Sequence, residues 1–141
     1  MTIKEIQDEI VEEFIDLHDW MDKYSLLIEY GNSLTNYDET QRNDQNLIEG
    51  CQSQVWIYAW KEADKIRYMA DSDAIIVKGI IALLIRIFDN RTPDEILETE
   101  LYFIDKIGLK EHLSPTRSNG MVSMIKQLKM YALAFKHRGN K

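Results

Sequence analysis

Residues 74–88 read AIIVKGIIALLIRIF, an apolar stretch interrupted by two charged residues, Lys78 and Arg86. Apolar side chains would cover almost the whole circumference of a helix with this sequence, which is typical of a helix buried on every side. The apolar run between the two charges is too short to span a membrane. We therefore expect a central buried helix from Ala74 to about Phe88, and no membrane partner.

Two segments before this helix alternate in the manner of paired antiparallel strands. They span residues 55–60 and 65–70 and are joined near residues 61–64, where no glycine is present. Trp56, Tyr58 and Trp60 share one face of the first strand, and we interpret this face as a packing surface. Residues 47–48 predict a further short strand ahead of the hairpin.

The segment Asp71-Ser72-Asp73 separates the hairpin from the central helix. Side chains of these types cap helix N-termini, and the two carboxylates could also be metal ligands. Capping is the simpler explanation, so we predict that this segment caps the central helix.

Helices are predicted on both sides of the hairpin. Thr2 and Glu5 have the spacing of a capping box, and a second helix is expected to end near Gly31. Residues 32–46 are polar and without periodicity, which predicts a long loop. Residues 92–95, Thr-Pro-Asp-Glu, are a typical helix start.

The C-terminal third is predicted to be helical as well. A short helical stretch ends at Gly108, and Ser114-Pro115 opens the last helix. Together these elements predict an α+β fold in one domain, residues 1–141. The apolar stripe of the last helix consists of Met121, Met124, Ile125, Leu128, Ala132 and Phe135.

The charge distribution indicates which classes of partner the protein can bind. The net charge is −7, and an acidic surface repels nucleic acid. After Ser114 the charge becomes basic, either because bases favour a helix C-terminus or because this stretch is a basic docking patch. The N-terminal sequence lacks a secretory signal pattern, and one cysteine fits a reducing compartment. We expect a cytoplasmic protein.

Cys51 is the only cysteine of the chain. One thiol cannot build a multi-cysteine zinc site or hold an iron–sulfur cluster. It can act as a nucleophile or carry a transferred group, or it can be an inert core residue. Gly50, Gln52 and Ser53 suit a loop entering a strand, where a rigid scaffold presents reactive groups.

Other candidate residues are scattered along the sequence. His112 could serve as a base toward Cys51, and Arg117 or nearby backbone N–H groups could favour the thiolate. There is no glycine-rich phosphate loop and no paired-histidine metal motif. We therefore expect no metal and no cofactor.

Four blocks in order resemble the SufE family of sulfur-acceptor proteins, and the similarity covers nearly the whole chain. They are residues 50–56 (GCQSQVW), 71–79 (DSDAIIVKG), 92–97 (TPDEIL) and 112–120 (HLSPTRSNG). Residues 32–40 lack the prolines expected of the family, and the hairpin turn lacks a glycine.

The resemblance implies a fold, a chemistry and partners. The implied fold is a three-stranded antiparallel sheet packed against helices, an architecture shared with NifU. Cys51 matches the acceptor cysteine that takes persulfide sulfur from a pyridoxal-phosphate cysteine desulfurase (SufS-like) and passes it to an iron–sulfur scaffold (SufBCD-like). Asp73 and Arg117 match positions tied to the active loop. The protein would be a sulfurtransferase-like carrier and desulfurase activator without its own cofactor.

The residues also leave alternatives open. The desulfurase served could be CsdA-like instead of SufS-like. The protein could be a thiol redox sensor or a one-cysteine peroxidase, with Thr116 and Arg117 binding peroxide. It could also be an interaction domain with an inert cysteine. The oligomeric state is open, with a homodimer among the options. If it is a carrier, we expect residues 49–53 to shelter Cys51 at rest and to swing out on docking, with Gly50 as the pivot.

Overall fold

The computed structural model describes residues 1–139. Seven helices and one hairpin follow one another along these residues, and the long loop between α2 and β1 contains a 3-10 turn at Glu39–Gln41. The elements are α1 (Ile3–Ile15), α2 (Trp20–Asn32), β1 (Val55–Glu62), β2 (Lys65–Ser72), α3 (Ile75–Phe88), α4 (Pro93–Glu98), α5 (Phe103–Lys106), α6 (Leu109–His112) and α7 (Pro115–Gly139).

Helix α3 is the central helix, as its composition predicts. It packs against α1, α2, α7 and β2. Its buried residues cover a little more than half of the helix circumference, and the opposite side is only partly covered, with Ile75 exposed. The helix is therefore central but is not buried on every side, contrary to what its composition predicts. The buried residues are Val77, Gly79, Ile80, Ile81, Leu83, Leu84, Ile87 and Phe88.

Local capping signals correctly predict two helix starts. Thr2 and Glu5 form a reciprocal capping box at α1, and Thr92 and Glu95 form a second one at α4, with Pro93 in the first turn. Each box satisfies backbone N–H groups that would otherwise lack partners. These starts depend on residues three apart in the sequence, which explains why sequence reasoning finds them.

The α+β class is confirmed, but the prediction of three strands is wrong. Within residues 1–139 the sheet consists of β1 and β2 alone, and Leu47 contributes one isolated bridge to Trp56. Two hydrogen bonds flank that bridge, Ile48 N–H to the Val55 carbonyl (2.8 Å) and Ile57 N–H to the Asn46 carbonyl (3.0 Å). The chain enters this bridge from a turn and leaves it for the loop around Cys51, so no longer ladder forms.

The capping prediction for α3 is also wrong. Ala74 is the N-cap residue and makes no side-chain capping bond, because β2 continues through Ser72 and takes Asp71 and Ser72 into the strand. Asp71 instead binds Arg42 at 2.9 Å and Lys78 at 3.3 Å. The Asp71 carboxylate is therefore engaged in ion pairs rather than in a helix cap.

The face of β1 that carries Trp56, Tyr58 and Trp60 is not the core-packing face. The alternate residues Val55, Ile57 and Ala59 are buried, and the three aromatic residues are only partly covered. Arg42 lies over the Trp56 ring, with 4.7 Å from its guanidinium carbon to the ring centroid. Cationic side chains therefore cover part of this outer face.

None of the helices within residues 1–139 is long and apolar enough to cross a bilayer.

Candidate functional site

Cys51 lies in a loop between the Leu47 bridge and β1, here called the Cys51 loop (residues 49–54). Its side chain is half-buried. The thiol is directed at the N-terminal part of α7, where its Sγ lies 3.5 Å from the carbonyl oxygen of Gly120 and can donate a weak hydrogen bond to it. The loop therefore holds the sulfur against a helix and partly covers it.

Gly50 fixes the N-terminal side of this loop. Its φ of +88° is in the range that residues other than glycine rarely adopt. A Cβ at this position would lie 2.5 Å from the Ser123 hydroxyl oxygen on α7. The backbone angle therefore favours glycine, and any side chain at this position would also have to displace the Ser123 hydroxyl.

Hydrogen bonds fix the C-terminal side of the loop to the end of β2. The Gln54 N–H donates to Asp73 Oδ1 at 3.0 Å, and the Ser72 hydroxyl donates to the Gln54 carbonyl at 2.9 Å. The Asp73 N–H donates to the same carbonyl at 3.2 Å. Asp73 is therefore an anchor of the Cys51 loop, which is a local structural role.

A cleft of about 390 Å³ opens beside Cys51. Residues from the loop, from α3 and from the start of α7 line it, so three separate parts of the sequence meet at the thiol. Polar side chains and buried apolar side chains both contribute to its walls. The lining residues are Cys51, Gln52, Ser53, Val77, Ser114, Thr116, Arg117, Gly120 and Met124.

Burial raises the pKa of the Cys51 thiol above its ordinary value, because a partly desolvated thiolate is less stable than a hydrated one. The resting thiol is therefore mostly protonated at neutral pH, and less nucleophilic than its thiolate. This direction is opposite to the activation expected from Arg117 or backbone N–H groups. Burial therefore lowers the fraction of reactive thiolate at a given pH.

The structure brings most of the predicted site residues together and leaves one apart. Gln52, Ser53 and Arg117 line the cleft with Cys51. His112 does not line it: its ring stacks on Trp20 with centroids 3.9 Å apart. The role of His112 as a base toward Cys51 therefore has no support in this geometry.

Arg117 on α7 was predicted from the sequence, but the contacts of two other α7 residues with the Cys51 loop were missed. Gly120 and Ser123 contact the Cys51 loop, and Gly120 is 69 residues from Cys51 in the sequence. Gly120 ends the family-like block 112–120, and a glycine inside a helical segment is a second signal, since glycine there is unfavourable without a packing reason. Within residues 1–139, no cluster of three or more His, Cys, Asp or Glu side chains has the geometry of a metal site.

Comparison with known proteins identifies the family. The family model described as SufE, Fe-S metabolism associated domain, matches residues 8–132. An uncharacterized SufE-like protein from Rhizobium meliloti (strain 1021) is 38% identical over 130 residues, covering 89% of this chain and 93% of the relative. The solution structure of a hypothetical protein from Thermus thermophilus has a TM-score of 0.75 at 21% identity, covering 92% of this chain and 94% of that one, and supports the fold. The chain therefore belongs to the SufE family, which is associated with iron–sulfur metabolism.

Proposed function

We propose that this protein is the sulfur-accepting partner of a pyridoxal-phosphate cysteine desulfurase of the SufS-like type. Cys51 accepts the persulfide sulfur, the desulfurase turns over faster as a result, and the sulfur passes to an iron–sulfur scaffold of the SufBCD-like type. The observation that carries this proposal is the placement of the chain's only thiol in a sheltered loop beside a cleft, in a member of the SufE family.

The transfer is a thiol exchange. The Cys51 thiolate attacks the outer sulfur of the enzyme persulfide, a new S–S bond forms on Cys51, and the enzyme thiolate leaves with the electron pair of the broken bond. No oxidant or reductant is consumed. A lone cysteine suits a carrier, since no second thiol of the chain can displace the bound sulfur as an internal disulfide.

The resting geometry supports shelter between encounters. Half-burial of Cys51 and its contact with Gly120 limit the access of large molecules to the sulfur. Transfer between two proteins requires contact between two sulfur atoms, so the Cys51 loop has to move outward when the desulfurase docks. The anchors at Gly50 and Asp73 set the free energy of that movement.

A peroxidase or redox-sensor function has weaker support. Thr116 and Arg117 do lie beside Cys51 in the cleft, as that function would require. However, a peroxide-reactive cysteine needs a low pKa and an exposed sulfur. Burial raises the pKa of Cys51.

The test is sulfur uptake measured by intact mass. The protein is incubated with a cysteine desulfurase and L-cysteine, and we expect one added sulfur on the wild type. We expect none on Cys51→Ser, together with loss of desulfurase stimulation. Circular dichroism of Cys51→Ser controls for folding. A folded Cys51→Ser protein that still stimulates the desulfurase fully would overturn the proposal, and mass gain of oxygen under peroxide alone would favour the redox function.

A further inference from the structure

The cleft beside Cys51 extends beyond the space that a sulfur atom needs. Its volume of about 390 Å³ lies at the small end of the roughly 300–1,000 Å³ typical of ligand pockets. The buried side chains of Val77 and Met124 form part of its wall. A small molecule fits this space, whereas a folded protein would reach Cys51 only through the mouth of the cleft. The cleft therefore gives small molecules a route to Cys51 that needs no movement of the Cys51 loop.

Arg117 gives the cleft a cationic wall. The arginines at positions 42, 67, 86 and 91 each bind a carboxylate. Within residues 1–139 the Arg117 guanidinium has no carboxylate partner, and only its backbone N–H is bound, by Ser114 Oγ at 3.2 Å. An exposed arginine without an ion pair, in a chain of net charge −7, is available to an anionic group that enters the cleft. The Ser114 and Thr116 side chains add hydroxyl groups to the same wall.

We infer that the cleft is a binding site for a low-molecular-weight thiol that carries a carboxylate, and that this thiol exchanges sulfur with Cys51. Arg117 binds the carboxylate by the bidentate geometry that guanidinium groups favour. The thiol end of the molecule then lies toward Cys51, because both groups line one small cleft. This inference rests on the proposed function for the persulfide on Cys51.

The exchange balances without another reactant. The thiolate of the small molecule attacks the outer sulfur of the Cys51 persulfide, and a new S–S bond forms on the small molecule. The bond between the outer sulfur and Cys51 Sγ breaks, and its electron pair stays on Cys51 as a thiolate. The proton of the persulfide remains on the transferred sulfur. The small molecule leaves as a persulfide, so sulfur can leave the protein without opening of the Cys51 loop.

The first experiment uses the unloaded protein and no desulfurase, so that it is independent of sulfur uptake. Two disulfide probes are compared: dithiodipropionate, which carries two carboxylates, and hydroxyethyl disulfide, which is neutral. In both cases the Cys51 thiolate attacks the disulfide, one half remains on Cys51 as a mixed disulfide, and the other half leaves as a thiolate. Intact mass follows the rate, and a peptide of residues 48–56 corrects for intrinsic reactivity.

The preference is the rate with the anionic probe divided by the rate with the neutral probe. We expect this ratio to be about threefold higher for the wild type than for the peptide, which is the effect of one exposed ion pair. The net charge of −7 opposes this preference, so it cannot arise from long-range attraction. Arg117→Gln should remove the preference and Arg117→Lys should keep part of it. Lys61→Gln, an equal charge change at the exposed far end of the hairpin, should leave it intact. Circular dichroism checks the fold of each variant.

A wild-type preference equal to that of the peptide, or one unchanged in Arg117→Gln, would overturn the inference. A second experiment tests the exchange itself. Protein loaded with sulfur is treated with mercaptopropionate or mercaptoethanol, and we expect Arg117→Gln to slow release to mercaptopropionate selectively. If the desulfurase fails to load Cys51 but the probe preference is present, the proposed function fails and the binding site stands. If the desulfurase loads Cys51 but the probe preference is absent, the binding site fails and the proposed function stands.

Discussion

Both ends of the β1–β2 hairpin place a residue at positive φ, but only one of the two is a glycine. Gly50, ahead of β1, has φ +88°, and Ala63, in the turn, has φ +54°. Ala63 is exposed to solvent, whereas a side chain at position 50 would collide with Ser123. A left-handed residue costs about 1–2 kcal/mol, which the turn tolerates. The two positions therefore share a left-handed backbone but differ in their surroundings, since only a side chain at position 50 would have to displace a group on α7.

The largest effect is expected from Gly50→Ala, which adds a methyl group where the Cys51 loop contacts α7. Backbone strain of about 1–2 kcal/mol destabilises the closed loop, and displacement of the Ser123 hydroxyl adds a smaller cost. The rate of Cys51 alkylation by a bulky maleimide should rise about tenfold, in proportion to the population of the open loop. Adding Ser123→Ala removes the clash but not the strain, so the double variant should react at an intermediate rate. An unchanged rate in Gly50→Ala would show that the closed loop does not limit access.

A smaller effect is expected from Asp73→Ala, which removes the acceptor of the Gln54 N–H. This hydrogen bond is exposed, so water can replace Asp73 and the loss should be about 1 kcal/mol or less. We expect a two- to fivefold faster alkylation, at about that free energy. Asp73→Asn retains an oxygen acceptor and is the matched control. Equal acceleration in both variants would indicate that the carboxylate charge, rather than the hydrogen bond, holds the loop.

Features that depend on neighbouring residues could be predicted from the sequence, and features that depend on long-range contacts could not. The helix starts at Thr2 and Thr92 depend on neighbours three residues away, and both predictions are confirmed. The cap expected from Asp73 is wrong because its carboxylate binds the Gln54 N–H, 19 residues earlier. The identity of Cys51 as the candidate thiol needs only composition. The contact of its sulfur with α7 depends on the tertiary fold, which no local sequence pattern predicts.

The pH dependence of Cys51 tests the closed loop in a different way. Burial raises the pKa of the folded-state thiol, so alkylation by iodoacetamide should reach its midpoint at a higher pH than in a peptide of residues 48–56. The protonated thiol is favoured by folding. Its contribution to stability is therefore fully present below the unfolded pKa of about 8.5 and is lost as pH rises through the folded pKa.

Urea unfolding of wild type and Cys51→Ser between neutral and alkaline pH measures this contribution. The wild type should lose stability relative to Cys51→Ser as pH rises, because only the wild type has a thiol to ionise. A pH-independent difference would contradict burial of the thiol. Gly50→Ala should lower the alkylation midpoint toward that of the peptide, since an open loop hydrates the sulfur.

The smallest effect is expected at the other end of the hairpin, from Ala63→Gly. Glycine removes the left-handed cost of about 1–2 kcal/mol, but it also makes the unfolded chain more flexible, at about 0.5–1 kcal/mol. We expect a net gain of about 0.5 kcal/mol in the free energy of unfolding, measured in urea. Ala63→Val, with a branched side chain in the same conformation, should lose stability instead. Alkylation of Cys51 should be unchanged in both, because the turn and the Cys51 loop lie at opposite ends of the paired strands. Faster alkylation in Ala63→Val would mean that strain in the turn alters the Cys51 loop through the paired strands β1 and β2. The two ends of the hairpin would then not be independent.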